Sequence, residues 1–139
     1  MNLPEYREIP DVGLYLDQVV KYINSFLDEG SMEVTSSMLT NYVKHKIVRR
    51  YHRKTYVRDQ ISCFFFIALA KSILPLDKIK ILLDRNDEST FEGYYERFRR
   101  ELLLQQENGR SKEEEFLQRL VSTILNKIYL EDMIQTEEE

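Results

Sequence analysis

The segment RDQISCFFFIALAKSIL, residues 58–74, is apolar on nearly every side at its centre. A helix that is hydrophobic all round belongs inside a protein rather than on its surface. Its longest apolar run, CFFFIALA at residues 63–70, is too short to cross a lipid bilayer. We therefore predict a buried central helix that Pro75 terminates, with the phenylalanines at 64–66 anchoring the helices packed around it.

Amphipathic helices are predicted on both sides of this central helix. Apolar residues recur there with the 3.6-residue period of a helix that packs on one side. Thr35 is suited to cap one of these helices, and Ser111 with Glu114 forms a capping box for another. Residues 47–57 are β-branched, aromatic and basic, which favours a short extended hairpin or wing. The predicted flanking helices span residues 15–27, 36–46, 76–84, 90–106 and 111–133, after an arm at 1–13 and with a loop at 28–33.

Length and composition predict one mainly helical domain, or one small domain with an appendage. The chain has 139 residues, of which 42% are hydrophobic, and only four glycines and three prolines. This content can bury a core and offers few turn signals for a sheet protein. Cys63 is the single cysteine, so no intramolecular disulfide can form, and we expect it to be a core thiol. The first 13 residues lack the pattern of a signal peptide, so we expect a soluble cytoplasmic protein.

Positive charge is concentrated in one short part of an acidic chain. The chain carries 20 Lys and Arg against 24 Asp and Glu, yet residues 34–58 hold seven bases and no acid. The remaining 13 bases face 24 acids, a local charge of −11. A basic zone on an acidic body is typical of a nucleic-acid contact. The alternative is a solvated basic loop that pairs with the acids of the same chain.

The helix predicted at 36–46 has an unusual polar face. At 100° per residue, Met38, Leu39, Tyr42 and Val43 cluster on one side. The opposite side carries short and medium polar side chains of the kind that hydrogen-bond base edges and phosphates. An ordinary amphipathic surface helix remains the alternative. The polar side chains are those of Ser37, Thr40, Asn41 and Lys44.

The segment VTSSMLTNYVKHKIV, residues 34–48, resembles the recognition-helix segment of MerR-type winged helix-turn-helix regulators. The pattern of that family runs Val-Ser-x-x-Thr-Leu-Arg-Tyr-Tyr-x-x-x-Gly-Leu-Leu. KTYVRDQI and LPLDKIKILL resemble later segments of the same family, in the same order. Thr40 stands in place of the family arginine, and Lys46 in place of the glycine. Individual DNA contacts therefore cannot be transferred from that family.

Residues 10–83 are more closely similar to the bacterial family called domain of unknown function 1836. The similarity is carried by PDVGLYLDQV, LTNYVKHKIV, KTYVRDQI and LPLDKIKILL. Members of this family are generally regarded as DNA-binding regulators. The resemblance implies a winged helix-turn-helix module over residues 1–84, followed by a C-terminal helical pair over 85–139.

Motifs of common enzyme classes are absent from the sequence. It contains no Walker-type loop, no Gly-x-Gly-x-x-Gly, no Gly-x-Ser-x-Gly and no His-Glu-x-x-His. His45 and His52 are seven residues apart, which does not match a helical i, i+4 ligand pair. Even with Cys63 as a third ligand, the sequence offers no clear fourth ligand for a zinc ion. We therefore expect no catalytic activity, no cofactor and no metal site.

These observations favour a sequence-specific regulator that binds double-stranded DNA as a homodimer, without a membrane segment. Helix 36–46 would enter the major groove, and the basic wing 47–57 would hold the backbone. The apolar stripes of the two C-terminal helices would pack together and form the dimer contact. The alternative is a non-enzymatic interaction module whose basic wing binds an acidic partner. The predicted DNA-binding residues are Ser37, Thr40, Asn41, Lys44, Arg49, Arg50, Arg53 and Lys54.

Overall fold

The computed structural model describes residues 1–27, 32–108 and 115–138. Within these ranges the chain is mainly helical with one small antiparallel sheet, which confirms the predicted fold class. The capping box predicted at Ser111 and Glu114 lies outside the described residues. The elements are a 3-10 helix at Tyr6–Glu8, β1 at Leu14–Tyr15, α1 at Leu16–Asn24, α2 at Ser36–Lys44, β2 at Thr55–Tyr56, α3 at Arg58–Ala70, α4 at Leu76–Asp84, α5 at Glu92–Asn108 and α6 at Phe116–Glu138.

Helix α3 is the centre of the core, as its all-round apolar pattern predicts. Ile61, Phe64, Phe65 and Ile67 have no solvent exposure. Three successive phenylalanine rings of α3 contact different neighbours, so one helix organises the packing of several others. The ring of Phe64 contacts Tyr42 and Tyr56, that of Phe65 contacts Tyr22, Phe26 and Tyr95, and that of Phe66 contacts Phe91, Tyr94 and Phe98.

The small sheet joins two distant parts of the chain. Leu14 pairs with Tyr56 and Tyr15 pairs with Thr55, in antiparallel register. The extended segment at 47–57 therefore takes its partner from the residues before α1, and the hairpin expected within 47–57 is replaced by this pairing. The segment has no Asn-Gly or Asp-Gly pair of the kind that closes a tight hairpin.

The N-terminal arm is part of the packed structure. Leu3 and Ile9 are buried. The Tyr95 hydroxyl donates to the Pro4 carbonyl at 2.6 Å, and Arg99 Nε donates to the Leu3 carbonyl at 3.0 Å. These bonds hold the arm along α5, so the first residues of the chain contribute to the core.

The two C-terminal helices have different surroundings. Helix α5 buries Tyr95, and Phe91 directly before it is also buried; the helix packs against α3. Helix α6 instead meets α4, where Ile134 is buried and its carbonyl accepts a hydrogen bond from Arg85 Nη2 at 2.8 Å. The apolar stripe of α5 is therefore used largely within the core. The predicted division of the chain after residue 84 stays a prediction. In the described ranges, no helix is both long and apolar enough to span a membrane.

Candidate nucleic-acid interface

Helix α2 begins at a well-formed cap, as the sequence predicts. The Thr35 hydroxyl oxygen accepts a hydrogen bond from the Met38 backbone N–H at 3.2 Å. Val34 and Leu39 are both buried, and they occupy the positions of a hydrophobic staple around the cap. The Asn24 side chain accepts from the Val34 N–H at 2.8 Å and donates to the Val34 carbonyl at 2.9 Å. This two-point contact fixes the start of α2 against the end of α1.

The two faces of α2 separate largely as predicted. Leu39, Tyr42 and Val43 are buried, whereas Met38 is 36% exposed and lies at the edge of the apolar face. The opposite face is open to solvent. Thr40 Oγ1 on that face donates to a carbonyl one turn earlier at 2.9 Å, so its hydroxyl is already partly engaged. The predicted contact residues Ser37, Thr40, Asn41 and Lys44 are all exposed.

Helix α2 ends in a Schellman motif centred on Lys46. The Ile47 N–H donates to the Tyr42 carbonyl at 2.9 Å, and the Lys46 N–H donates to the Val43 carbonyl at 3.1 Å. Lys46 has a φ of 60°, in the left-handed region where glycine is the usual residue. Lys46 therefore adopts a backbone conformation that glycine accepts more easily than a residue with a side chain. The helix is two residues shorter than predicted because this turn redirects the chain.

Two polar residues at the start of α3 position the basic segment, residues 47–57. Gln60 is only 1% exposed, and its amide nitrogen donates to the Arg49 carbonyl at 2.9 Å while its oxygen accepts from the Val57 N–H at 2.9 Å. Asp59 accepts from the Tyr51 hydroxyl at 3.3 Å and from the Phe91 N–H at 2.6 Å. Sequence reasoning missed both roles. The sequence signal that could have indicated these roles is the pair of polar residues, Asp59 and Gln60, at the start of an otherwise apolar helix.

The bases of this region fall into two groups. Arg58 is used internally, since its guanidinium donates to the Ile9 carbonyl at 2.8 Å and to the Arg7 carbonyl at 2.9 Å. The other six are exposed, and within the described ranges their side chains form neither a hydrogen bond nor an ion pair. They are therefore available to an external anion. These six are Lys44, Lys46, Arg49, Arg50, Arg53 and Lys54.

A groove of about 730 Å³ connects the end of α2 with the basic segment. Lys44 and Arg49 line it together, so the end of α2 and the first part of the basic segment share one surface. Three acidic residues, Asp59, Asp84 and Glu88, also line the groove. Cys63 is partly buried and also lines the groove. Burial, and secondarily the charge of Asp59, raises the pKa of the Cys63 thiol, which disfavours the nucleophilic thiolate. Across the described parts of the chain, no three His, Cys, Asp or Glu side chains are grouped to hold a metal.

One family matches most of the described fold. The match covers residues 4–98, from the N-terminal arm through the first part of α5. No curated protein and no solved structure shows significant similarity to the chain. Because the match spans more than half of the sequence, the chain belongs to the family described as "Domain of unknown function (DUF1836)".

Proposed function

We propose that this chain is a sequence-specific, DNA-binding transcriptional regulator of the cytoplasm that acts without catalysis. The observation that carries the proposal is the exposure of the polar face of α2 and of six bases between residues 44 and 54, whose side chains form neither a hydrogen bond nor an ion pair within the described ranges. Side chains on an exposed helix face can read base edges in a major groove, and neighbouring bases can bind phosphates. The acidic remainder of the chain, with its charge of −11, would repel DNA elsewhere.

In the proposed complex, α2 lies in the major groove and the basic segment follows the backbone. Ser37, Thr40, Asn41 and Lys44 face base edges or flanking phosphates. The resemblance of residues 34–48 to the recognition-helix segment of MerR-type regulators supports this orientation. The left-handed backbone at Lys46, at the position of the glycine in that pattern, is consistent with it. The basic residues that hold the backbone are Arg49, Arg50, Arg53 and Lys54.

Selection of bound sequences from a random duplex pool tests the proposal. We expect a recurrent sequence to be enriched over several rounds, because the polar face of α2 discriminates among bases. Salt dependence would not discriminate, since a basic surface binds any polyanion more weakly at high salt. Binding without enrichment would contradict sequence-specific recognition, and it would favour the alternative of an acidic protein partner.

Substitution of Asn41 tests the orientation of α2 on the selected sequence. If the Asn41 amide binds a base edge in bidentate fashion, Asn41→Ala should cost about 1–3 kcal/mol of binding and relax preference at one position. Asn126→Ala removes the same side chain from the exposed surface of α6, and it should leave binding unchanged. Equal affinity of the parent and the Asn41→Ala variant would refute the assignment of Asn41.

Tyr42→Ala gives the contrasting result expected of a core residue. Tyr42 is 3% exposed and its ring packs near Phe64. Its truncation should lower the free energy of unfolding by about 3–5 kcal/mol, as for other buried aromatic residues. Urea denaturation of this variant and of Asn41→Ala separates loss of folding from loss of recognition.

A further inference from the structure

Helix α6 presents a long apolar face that no other described part of the chain covers. Nine large hydrophobic side chains of this helix are between 40% and 75% exposed. Only the C-terminal part is anchored, through the buried Ile134 and the partly buried Leu130. The exposed residues are Phe116, Leu117, Leu120, Val121, Ile124, Leu125, Ile128, Tyr129 and Met133.

The exposed residues between 116 and 128 form one continuous stripe. At 100° per residue, these seven residues occupy about half of the helix circumference. Ser122 and Asn126 lie on the other half, together with Tyr129 and Met133. The stripe amounts to roughly 600 Å² of apolar surface, at the upper end of the largest patch on a typical monomer. A surface of this kind marks an interaction site rather than ordinary scattered exposure.

We propose that this stripe binds the same stripe of a second copy of the chain. The stripe includes a 4-3-4 spacing of aliphatic residues, at Leu117, Val121, Ile124 and Ile128. This spacing is typical of helices that pack along each other by knobs-into-holes packing. A two-fold contact brings the same patch from both copies together, so a stripe of aliphatic residues is complementary to itself. On the helical wheel Lys127 and Glu131 fall within the arc of the stripe, where they pair with each other at 3.0 Å. The stripe therefore presents no net charge that would select an acidic or basic partner.

The stripe supplies the apolar centre of such a contact. A helix pair buries only the facing part of each stripe, and residues beside the stripes complete the roughly 1,200–2,000 Å² that a specific, stable interface buries in total. The sequence alone predicts a dimer built from both C-terminal helices. The structure instead assigns the contact to α6 alone, because Tyr95 of α5 and the preceding Phe91 are already buried in the core. This proposal does not depend on DNA binding, and its test uses no DNA.

Light scattering of the full chain across a range of micromolar concentrations tests the pairing. The parent should have twice the chain mass of 16.7 kDa. Ile124→Glu places a charge in the stripe and should return the mass to that of one chain, whereas Ser122→Glu on the opposite side should leave the dimer intact. A parent that stays at the single-chain mass, or an Ile124→Glu variant that stays dimeric, would overturn the proposal.

A double alanine variant covers the case in which the charged variant does not fold. Alanine is the best helix former, so Leu120→Ala with Ile124→Ala should retain the helix while removing much of the stripe. Its circular dichroism should match that of the parent, and its mass should halve. Ser122→Ala with Asn126→Ala is the matched control and should remain dimeric. A folded Leu120→Ala, Ile124→Ala variant that keeps the parent mass would also overturn the proposal.

Discussion

Replacing Arg49, Arg50 and Arg53 together by alanine should flatten the salt dependence of DNA binding. Each arginine that neutralises a phosphate releases condensed counterions, and this release makes affinity fall as salt rises. The three side chains are exposed, and in the described ranges they form neither hydrogen bonds nor ion pairs. No internal contact therefore has to break before they bind phosphate, and none is lost on substitution.

The size of the effect follows from the number of bases removed. If each of the three arginines binds one phosphate, the slope of log K against log salt should fall by about 0.9 per residue, or about 2.7 in all. Between roughly 50 mM and 200 mM salt, the parent should then lose about 40-fold more affinity than the variant. Fewer phosphate contacts would give a proportionately smaller difference.

Fluorescence anisotropy of a labelled duplex at several salt concentrations measures this slope. Lys80, Arg97 and Arg100 on α4 and α5 provide the control, because their replacement by alanine changes the net charge equally. That variant should keep a slope close to the parent's. An unchanged slope for the Arg49, Arg50 and Arg53 variant would show that the basic segment does not touch phosphate. Equal flattening by both variants would show that only net charge matters.

Two further predictions concern the folded state. Lys46→Gly should raise the free energy of unfolding by about 1 kcal/mol in urea denaturation, since glycine adopts the left-handed backbone without the strain of a side chain. Lys46→Ala loses the same charge but keeps the strain, so a similar gain in that variant would contradict the explanation. Burial raises the pKa of Tyr6 and of Tyr95 above that of an unfolded tyrosine, so both stay neutral in the fold. The unfolded chain therefore loses these protons first, near pH 10. The free energy of unfolding should keep its full value below about pH 9. As pH rises above 10 it should fall by up to about 1.4 kcal/mol per pH unit for each group. Denaturation at about pH 8 and pH 11 measures the fall. Tyr42→Phe should make the fall less steep, because burial also raises the pKa of Tyr42.

Several elements that local sequence specifies were predicted with their bounds, but the end of the central helix was not, since α3 ends at Ala70 and not at Pro75. Helix α4 spans Leu76–Asp84 as predicted, because Pro75 directly precedes it and its apolar residues keep the helical period. Thr35 caps α2 because a hydroxyl at that position can reach the N–H of the first turn. The central position of α3 follows from composition alone, since only a buried helix tolerates apolar residues on all sides.

The features that the sequence did not reveal depend on contacts between distant residues. The strand at 55–56 pairs with 14–15, a partner that no local pattern identifies. The arm at 1–13 contains two prolines and a glycine and shows no helical or strand period, yet Tyr95 and Arg99 of α5 donate hydrogen bonds to its carbonyls. The stripe of α5 was predicted to pack with that of α6 in the dimer contact, but in the structure α5 packs against α3. Sequence periodicity shows which face of a helix is apolar but not which element covers it.

The position of the candidate interface depends on the first turn of α3. Gln60 holds the basic segment through the Arg49 carbonyl, and Asp59 holds it through the Tyr51 hydroxyl. Asp59 also accepts the Phe91 N–H at the entrance to α5. A buried amide or carboxylate that loses a partner costs more than the hydrogen bond itself contributes, so these contacts favour a single arrangement. The charged ends of the side chains in the basic segment are therefore exposed, while the backbone carbonyl of Arg49 is bound by Gln60 of α3. That combination lets the surface meet an anion without first ordering a loop, which lowers the entropic cost of binding.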